Sequence, residues 1–145
     1  NGCEYMTGGI VLVAGRIREN FGAGMSGGVA FVMDSDLAVG AKINRRSVRI
    51  QPCSYKEVLL VHDLLREHYL ETHSPRALGL LNHWRVTASL IRKVVAPAYD
   101  KVWRKQLYKM LPTLSAKRVV TPHLRSGRDS QPLPEQPGMT GRRHD

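Results

Sequence analysis

Only two cysteines, Cys3 and Cys53, occur in the 145 residues of the chain. Two thiols cannot build a disulfide framework, and their separation lacks the CxxC spacing of a zinc or redox centre. A reduced compartment fits this usage. Aromatic residues are scarce at 6%, and the apolar fraction of 42% is slightly low for a compact globule. Part of the chain is therefore expected to lie outside the core. No run of about 18 apolar residues is present, so no membrane-spanning segment is read. The sequence does not open on a basic region followed by an apolar stretch, so no secretory signal is read either, and the missing initiator Met suggests a fragment. Acidic residues are few, 12 against 22 Lys and Arg, for a net charge of +10. Residues 1–53 and 54–99 each carry six basic against four acidic side chains, whereas residues 100–145 carry ten against four. The excess is mostly a property of the tail. It contains no block of five or more like charges, so any nucleic-acid affinity would be weak and salt-sensitive.

What the sequence does have is a short internal repeat. Met6-Thr7-Gly8-Gly9-Ile10-Val11-Leu12-Val13 aligns with Met25-Ser26-Gly27-Gly28-Val29-Ala30-Phe31-Val32, an offset of 19 residues. Each copy reads Met, hydroxyl, Gly-Gly, then a continuous apolar run, the pattern of a strand buried on both faces. The glycine pairs suit a corner that recurs in every rung, because glycine accepts positive φ and lets backbones approach closely. A repeated strand with a Gly-rich corner predicts a partial parallel β-helix over residues 1–53. Asn20 and Asn44 are expected to cap corners, since Asn tolerates left-handed geometry. Val48-Arg49-Ile50 alternates apolar and basic, which predicts a half-exposed final rung. A β-helix needs about three or more stacked repeats, so the first rung is expected to present an apolar end and an open edge unless upstream rungs cover it.

Over residues 54–111 the period becomes helical. Ser54-Tyr55-Lys56-Glu57 is a capping-box pattern that opens a helix to about Tyr69, with Val58, Val61, Leu64 and Leu65 on its apolar side and His62, Arg66 and Glu67 nearer solvent. Ser74-Pro75 opens a second helix to about Trp84. A looser stretch is expected from Leu90 to Val95, and Pro97 opens a last helix carrying Tyr99, Val102, Trp103, Leu107 and Leu111. Residues 112–145, with five prolines among Ser, Gly and Arg, are expected to be a disordered basic tail.

Residues with chemical potential read mainly as structural. No Lys-Ser/Thr follows Gly8-Gly9 or Gly27-Gly28, so a phosphate cradle is not indicated. His62, His68 and His73 are spaced six and five apart and do not stack on one helical face, which argues against a metal site. Cys3 and Cys53 are read as buried, inert thiols. Tyr99 and Trp103, interleaved with Lys101, Arg104 and Lys105, fit an apolar stripe between solvated charges better than a base-stacking platform. No catalytic, cofactor-binding or metal-binding residue is assigned.

From Glu4-Tyr5-Met6-Thr7-Gly8-Gly9 through Asn20-Phe21-Gly22-Ala23-Gly24-Met25-Ser26-Gly27-Gly28, the sequence resembles the carboxy-terminal β-helix domain of glutamate synthase large subunits. The likeness continues through Asn44, Val48, Ile50 and Pro52, and into the closing helices at His68, Tyr69, Thr72, Ser74-Pro75-Arg76-Ala77 and Trp84. It covers roughly residues 1–111, departing at Arg16-Ile17-Arg18-Glu19, where the family has a Gly-containing turn followed by Arg. The resemblance implies a non-catalytic scaffold and interdomain module of an enzyme that reductively transfers the glutamine amide to 2-oxoglutarate, giving glutamate. The family's nucleophilic cysteine, FMN and iron–sulfur cluster belong to other domains, so no cofactor is expected in this chain. The implied partners are the remaining domains of the large subunit and its small subunit. Two other classes stay open: a standalone β-helix binding module whose basic tail contacts an acidic partner, and a subunit of another β-helix oxidoreductase of the formylmethanofuran dehydrogenase type. The Ser74–Ala77 segment argues against the latter.

Overall fold

The computed structural model describes residues 2–118. Four strands, β1 (Thr7–Val13), β2 (Gly27–Met33), β3 (Arg49–Pro52) and β4 (Ile91–Val95), form one sheet in the order β1-β2-β4-β3. Around it lie α1 (Val39–Lys42), α2 (Tyr55–Thr72), α3 (Pro75–Asn82), α4 (Trp84–Leu90) and α5 (Asp100–Arg118).

The sequence repeat is the register of the sheet. β1 and β2 run parallel, with Ile10 opposite Val29, Val11 opposite Ala30, Leu12 opposite Phe31 and Val13 opposite Val32, each pair 19 residues apart. Gly9 and Gly28 hold the same place in the two copies and share a left-handed conformation, φ 85° and 80°. The backbones ahead of the strands stack as well. Gly22 N–H donates to the Gly2 carbonyl at 2.8 Å, Tyr5 N–H to Ala23 at 2.8 Å and Ser26 N–H to Met6 at 2.9 Å. One layer on, Phe21 N–H donates to Lys42 at 3.0 Å and Asn44 N–H to Phe21 at 2.7 Å, and Phe21 bridges Ile43 in parallel.

Asn20 and Asn44 occupy stacked corners. Asn20 adopts φ 63°, and its Oδ1 accepts from Asn44 Nδ2 at 2.6 Å. Asn44 in turn caps its own turn, accepting from the amides of Arg46 and Ser47 at 3.1 and 3.2 Å. At the divergent corner, Ile17 is buried while Arg16, Arg18 and Glu19 stay exposed, so an apolar anchor holds the bend.

Two expectations need correcting. The sheet is mixed: β4 pairs antiparallel with both β2 and β3, so β3 joins the sheet through β4 and does not continue the parallel stack. The half-exposed character expected of that last strand holds, with Val48 buried just before it and Arg49 exposed. The second correction is β4 itself, a buried central strand where a loose stretch was expected. Arg92 and Lys93 mask the β-branched signal of Ile91, Val94 and Val95, and Lys93 is buried only because carboxylates face it.

The sheet has a core on each face. On one, Ala30, Val32 and Val94 pack against Ile17, Phe21, Met25, Val39, Ile43 and Val48 of the coils. On the other, Val29, Phe31, Met33, Ile91 and Val95 meet Leu60 and Val61 of α2 and Trp103 and Leu107 of α5. Every residue of β2 is buried, as a two-faced strand requires, whereas β1 is an edge strand with half-buried apolar residues from Ile10 to Val13. Fully burying each large apolar side chain of β2 contributes about 1.5–3 kcal/mol.

α2 and α3 begin where the caps predict, whereas α3 stops at Asn82, α1 and the separate α4 carry no predicted start, and α5 opens at Asp100 instead of Pro97. Ser54 and Glu57 form the reciprocal capping box of α2, which runs to Thr72 and ends on His73 in the left-handed conformation. Leu60, Val61 and Leu65 are its buried residues beside Glu57. Ser74 caps α3, with Pro75 in its first turn. Substituting Ser54 with alanine should cost about 1 kcal/mol, read from the denaturant midpoint. α5 runs past the expected end near residue 111 to Arg118. The remainder of the expected disordered tail, residues 119–145, lies outside the described residues, as do the tail cations Arg142 and Arg143.

Candidate functional site

The most chemically loaded place in the described residues is a buried charge cluster where α2, β4 and α5 meet. β4 projects Lys93 onto the helix-facing side of the sheet, opposite Phe31 and Gln51. There its ammonium group lies 2.9 Å from Glu57 Oε1 and 3.3 Å from Asp100 Oδ1, with only 6% of the side chain exposed. The indole N–H of Trp103 donates to the same Glu57 oxygen at 2.7 Å, and the Ser54 amide donates to Glu57 Oε2 at 2.6 Å. Arg104 closes the outer side, 2.8 Å from Asp100 Oδ2.

A carboxylate and an ammonium side by side invite an acid–base reading, and the geometry argues against it. Both Glu57 oxygens are already occupied by donors. Burial alone would push its carboxyl up, but the Ser54 amide, the Trp103 indole and the Lys93 ammonium outweigh burial and hold it below the usual range. A carboxylate so held is a poor proton shuttle at neutral pH. What the cluster does is fix three elements in one orientation, since α2, β4 and α5 each supply a charge the others need.

A second polar tie sits at the far end of β4. Asp34, directly after β2, accepts from the Val39 amide at 3.0 Å and stands 3.8 Å from Arg92 Nε. It holds the turn into α1 and the β2–β4 junction together. Sequence reading missed Lys93, Asp100 and Asp34. Lys93 carries a signal in retrospect, a single cation inside an otherwise β-branched run, but its acidic partners lie far from it along the chain or on another element.

The residues singled out in the sequence fall into separate surroundings. Trp103 is 1% exposed and packs edge-on to Phe31 at 6.0 Å, so it offers no free stacking face, while Tyr99 is half-buried against the helix-side core and donates its hydroxyl to Gln106. His62 stacks edge-on to Trp84 at 4.7 Å, His68 lies beside Thr72, and His73 is the left-handed cap of α2. Among the described residues no group of three or more His, Cys, Asp and Glu is placed to hold a metal ion. Cys3 borders the coil-side core and Cys53 the helix-side core, so the two thiols lie on opposite faces of the sheet and supply no common ligand set for an iron–sulfur cluster.

Burial pushes the Cys53 thiol up to about 12, with the Glu57 carboxylate adding to it against a weaker opposing pull from Lys93 and Arg92. Iodoacetamide at mildly alkaline pH should therefore label Cys53 in the folded chain more than about a hundredfold more slowly than in the urea-unfolded chain. Equal rates in the two states would refute the assigned environment.

Among the described residues no helix is long and apolar enough to cross a membrane. Residues 1–97 match the family model described as GXGXG motif, a span that runs from the first coil through β4. Curated relatives share the same region. Ferredoxin-dependent glutamate synthase 1, chloroplastic/mitochondrial, of Arabidopsis thaliana is 38% identical over 99 residues, covering 68% of this chain and 6% of the relative. The large chain of glutamate synthase [NADPH] of Bacillus subtilis is 36% identical over 104 residues, 70% of this chain and 7% of the relative. Glutamate synthase [NADH] of Schizosaccharomyces pombe is 36% identical over 110 residues, 75% of this chain and 5% of the relative. The chain thus spans only a small part of the length of these relatives. With the family model covering most of the chain, and relatives 36–38% identical over more than two thirds of it, the chain belongs to the GXGXG motif family, in its glutamate synthase branch.

Proposed function

We propose that the chain is a non-catalytic contact domain of a glutamate synthase, built as part of a parallel β-helix whose coils pack against the other domains of that enzyme. The observation that carries this reading is the stacking of β1 on β2 in the register of the sequence repeat, with β1 left as an edge strand. A parallel edge of this kind is completed by another rung. The stacked pair Asn20 and Asn44 and the Phe21–Ile43 bridge support the same coil geometry on a second side.

A structural role is supported further by the relatives. By name they depend on ferredoxin, NADPH or NADH, yet each is 36–38% identical to this chain. A segment so indifferent to the electron donor suits a scaffold better than a donor-specific site. In this reading the parent reaction is reductive transfer of the glutamine amide to 2-oxoglutarate, and FMN and the iron–sulfur cluster reside in the other domains. The small subunit is a further partner where the enzyme has one. Free cysteines and chloroplastic relatives support a reduced compartment, cytoplasmic or plastid.

The experiment is an absorbance spectrum and a glutamine-dependent glutamate assay on the purified chain. The expected result is no flavin band and no glutamate above the blank; a flavin band or glutaminase turnover would overturn the non-catalytic reading.

A further inference from the structure

Between the end of β3, the first turn of α2 and the middle of α5 lies an open groove of about 680 Å³. Pro52, Cys53 and Leu107 give it apolar lining, and Tyr55 and Tyr108, 76% and 65% exposed, stand at its rim. Lys56 Nζ sits 3.8 Å above the Tyr108 ring, so α2 and α5 meet across the mouth through a cation and an aromatic face. Large exposed aromatics beside an apolar hollow are a common form of protein-binding surface.

The charge around the groove has one sign. Lys56 and Arg104 line it, and Lys101, Lys105 and Lys109 continue along exposed positions of α5 at four-residue spacing. The neighbouring acids are turned inward: Glu57 is bound to Lys93, Trp103 and the Ser54 amide, and Asp100 is bound to Lys93 and Arg104. Arg104 is paired with Asp100, but Lys56 and the three α5 lysines have no carboxylate partner among the described residues, and a cationic rim of this kind around an apolar hollow is complementary to a ligand that is both acidic and greasy.

We infer that this groove docks an acidic segment of a partner protein, one in which carboxylates alternate with bulky apolar side chains. The apolar side chains settle against Leu107, Pro52 and the tyrosine rings, and the carboxylates meet Lys56, Arg104 and the α5 lysines. A nucleic acid is the poorer occupant, because a stacking platform takes several open ring faces: Trp103 is 1% exposed and Lys56 sits over Tyr108, which leaves Tyr55 as the one open ring at the groove. The inference builds on the contact-domain reading and names one surface and the chemistry that fills it.

The test is fluorescence anisotropy with the full chain and a short labelled peptide of alternating Glu and Leu. A matched peptide of alternating Gln and Leu and a labelled oligothymidine serve as comparisons. The Glu-Leu peptide is expected to bind at least about tenfold more tightly than the Gln-Leu peptide, with an affinity that falls as salt rises. The double variant Lys56→Glu, Lys105→Glu should lose about tenfold, and Tyr108→Ser, which removes apolar wall without altering charge, about fivefold. Unchanged circular dichroism melting establishes that each variant is folded. Substituting the tail cations Arg142 and Arg143 with serine should leave binding unchanged. Equal binding of the two peptides, tighter binding of oligothymidine, or loss of binding on changing only Arg142 and Arg143 would each overturn the assignment. Such a failure would leave co-assembly with glutamate synthase domains untouched, so the two readings fail separately.

Discussion

Replacing Gly27 with alanine is expected to destabilise the chain by about 3 kcal/mol or more, while the same change at Gly8 leaves stability within about 0.5 kcal/mol. Both residues lie in a Gly-Gly corner, and their surroundings differ. A Cβ on Gly27 would run into the backbone carbonyl of Thr7, its partner on the neighbouring strand, whereas nothing lies within 4 Å of a Cβ on Gly8. Backbone cannot swing aside as a flexible side chain can, so relief at Gly27 requires the two coils to separate. Gly28, with φ 80°, has a Cβ position 2.5 Å from the Met6 methyl and 2.8 Å from the Gly8 carbonyl, so both glycines of the second copy are closely packed while Gly8 and Gly9 of the first are open. Thermal melting or urea denaturation of the two variants gives the comparison. Overlapping curves for Gly27→Ala and the parent chain would mean that the coils do not approach as closely as described.

The second large effect is expected at the buried charges. Changing Glu57 to glutamine leaves the buried Lys93 with Asp100 as its one remaining carboxylate partner, and should cost about 3 kcal/mol. Combining it with Lys93→Met should restore part of the loss, because the buried, under-compensated ammonium is then gone while Asp100 keeps Arg104. The same carboxylate sets an acid limit. Its folded pKa lies below the 4.5 of the free group, so its contribution is fully present above about 4.5 and is lost as pH falls through the folded value. Urea midpoints should therefore drop as pH falls below about 4.5 in the parent chain, and by a smaller amount in Glu57→Gln. Identical acid profiles would show that Glu57 is not held as an anion by its neighbours.

These two sites mark how much of the molecule could be read from its sequence. The Gly-Gly repeat was legible because its period is also a strand register: the 19-residue offset that aligns Ile10 with Val29 is the pairing in the sheet. The caps at Ser54 and Ser74 were legible because they are local, each satisfied within three residues. β4 was not, since its two charges are neutralised by Glu57, Asp100 and Asp34, partners set 7 to 58 residues away that only the fold brings near. For the same reason the mixed sheet was hidden, because a strand read as loose cannot be placed between two others. The charge cluster and the groove beside it exist only where β3, α2, β4 and α5 converge, so no single segment announces them.

The contact-domain account stands most directly on one measurement: size-exclusion chromatography of the purified chain mixed with a glutamate synthase large subunit from which the GXGXG region has been deleted. A stoichiometric complex is expected, with the edge of β1 and the corners at Asn20 and Asn44 becoming protected from hydrogen exchange. Separate elution of two folded proteins, with β1 exchanging as fast in the mixture as alone, would contradict it.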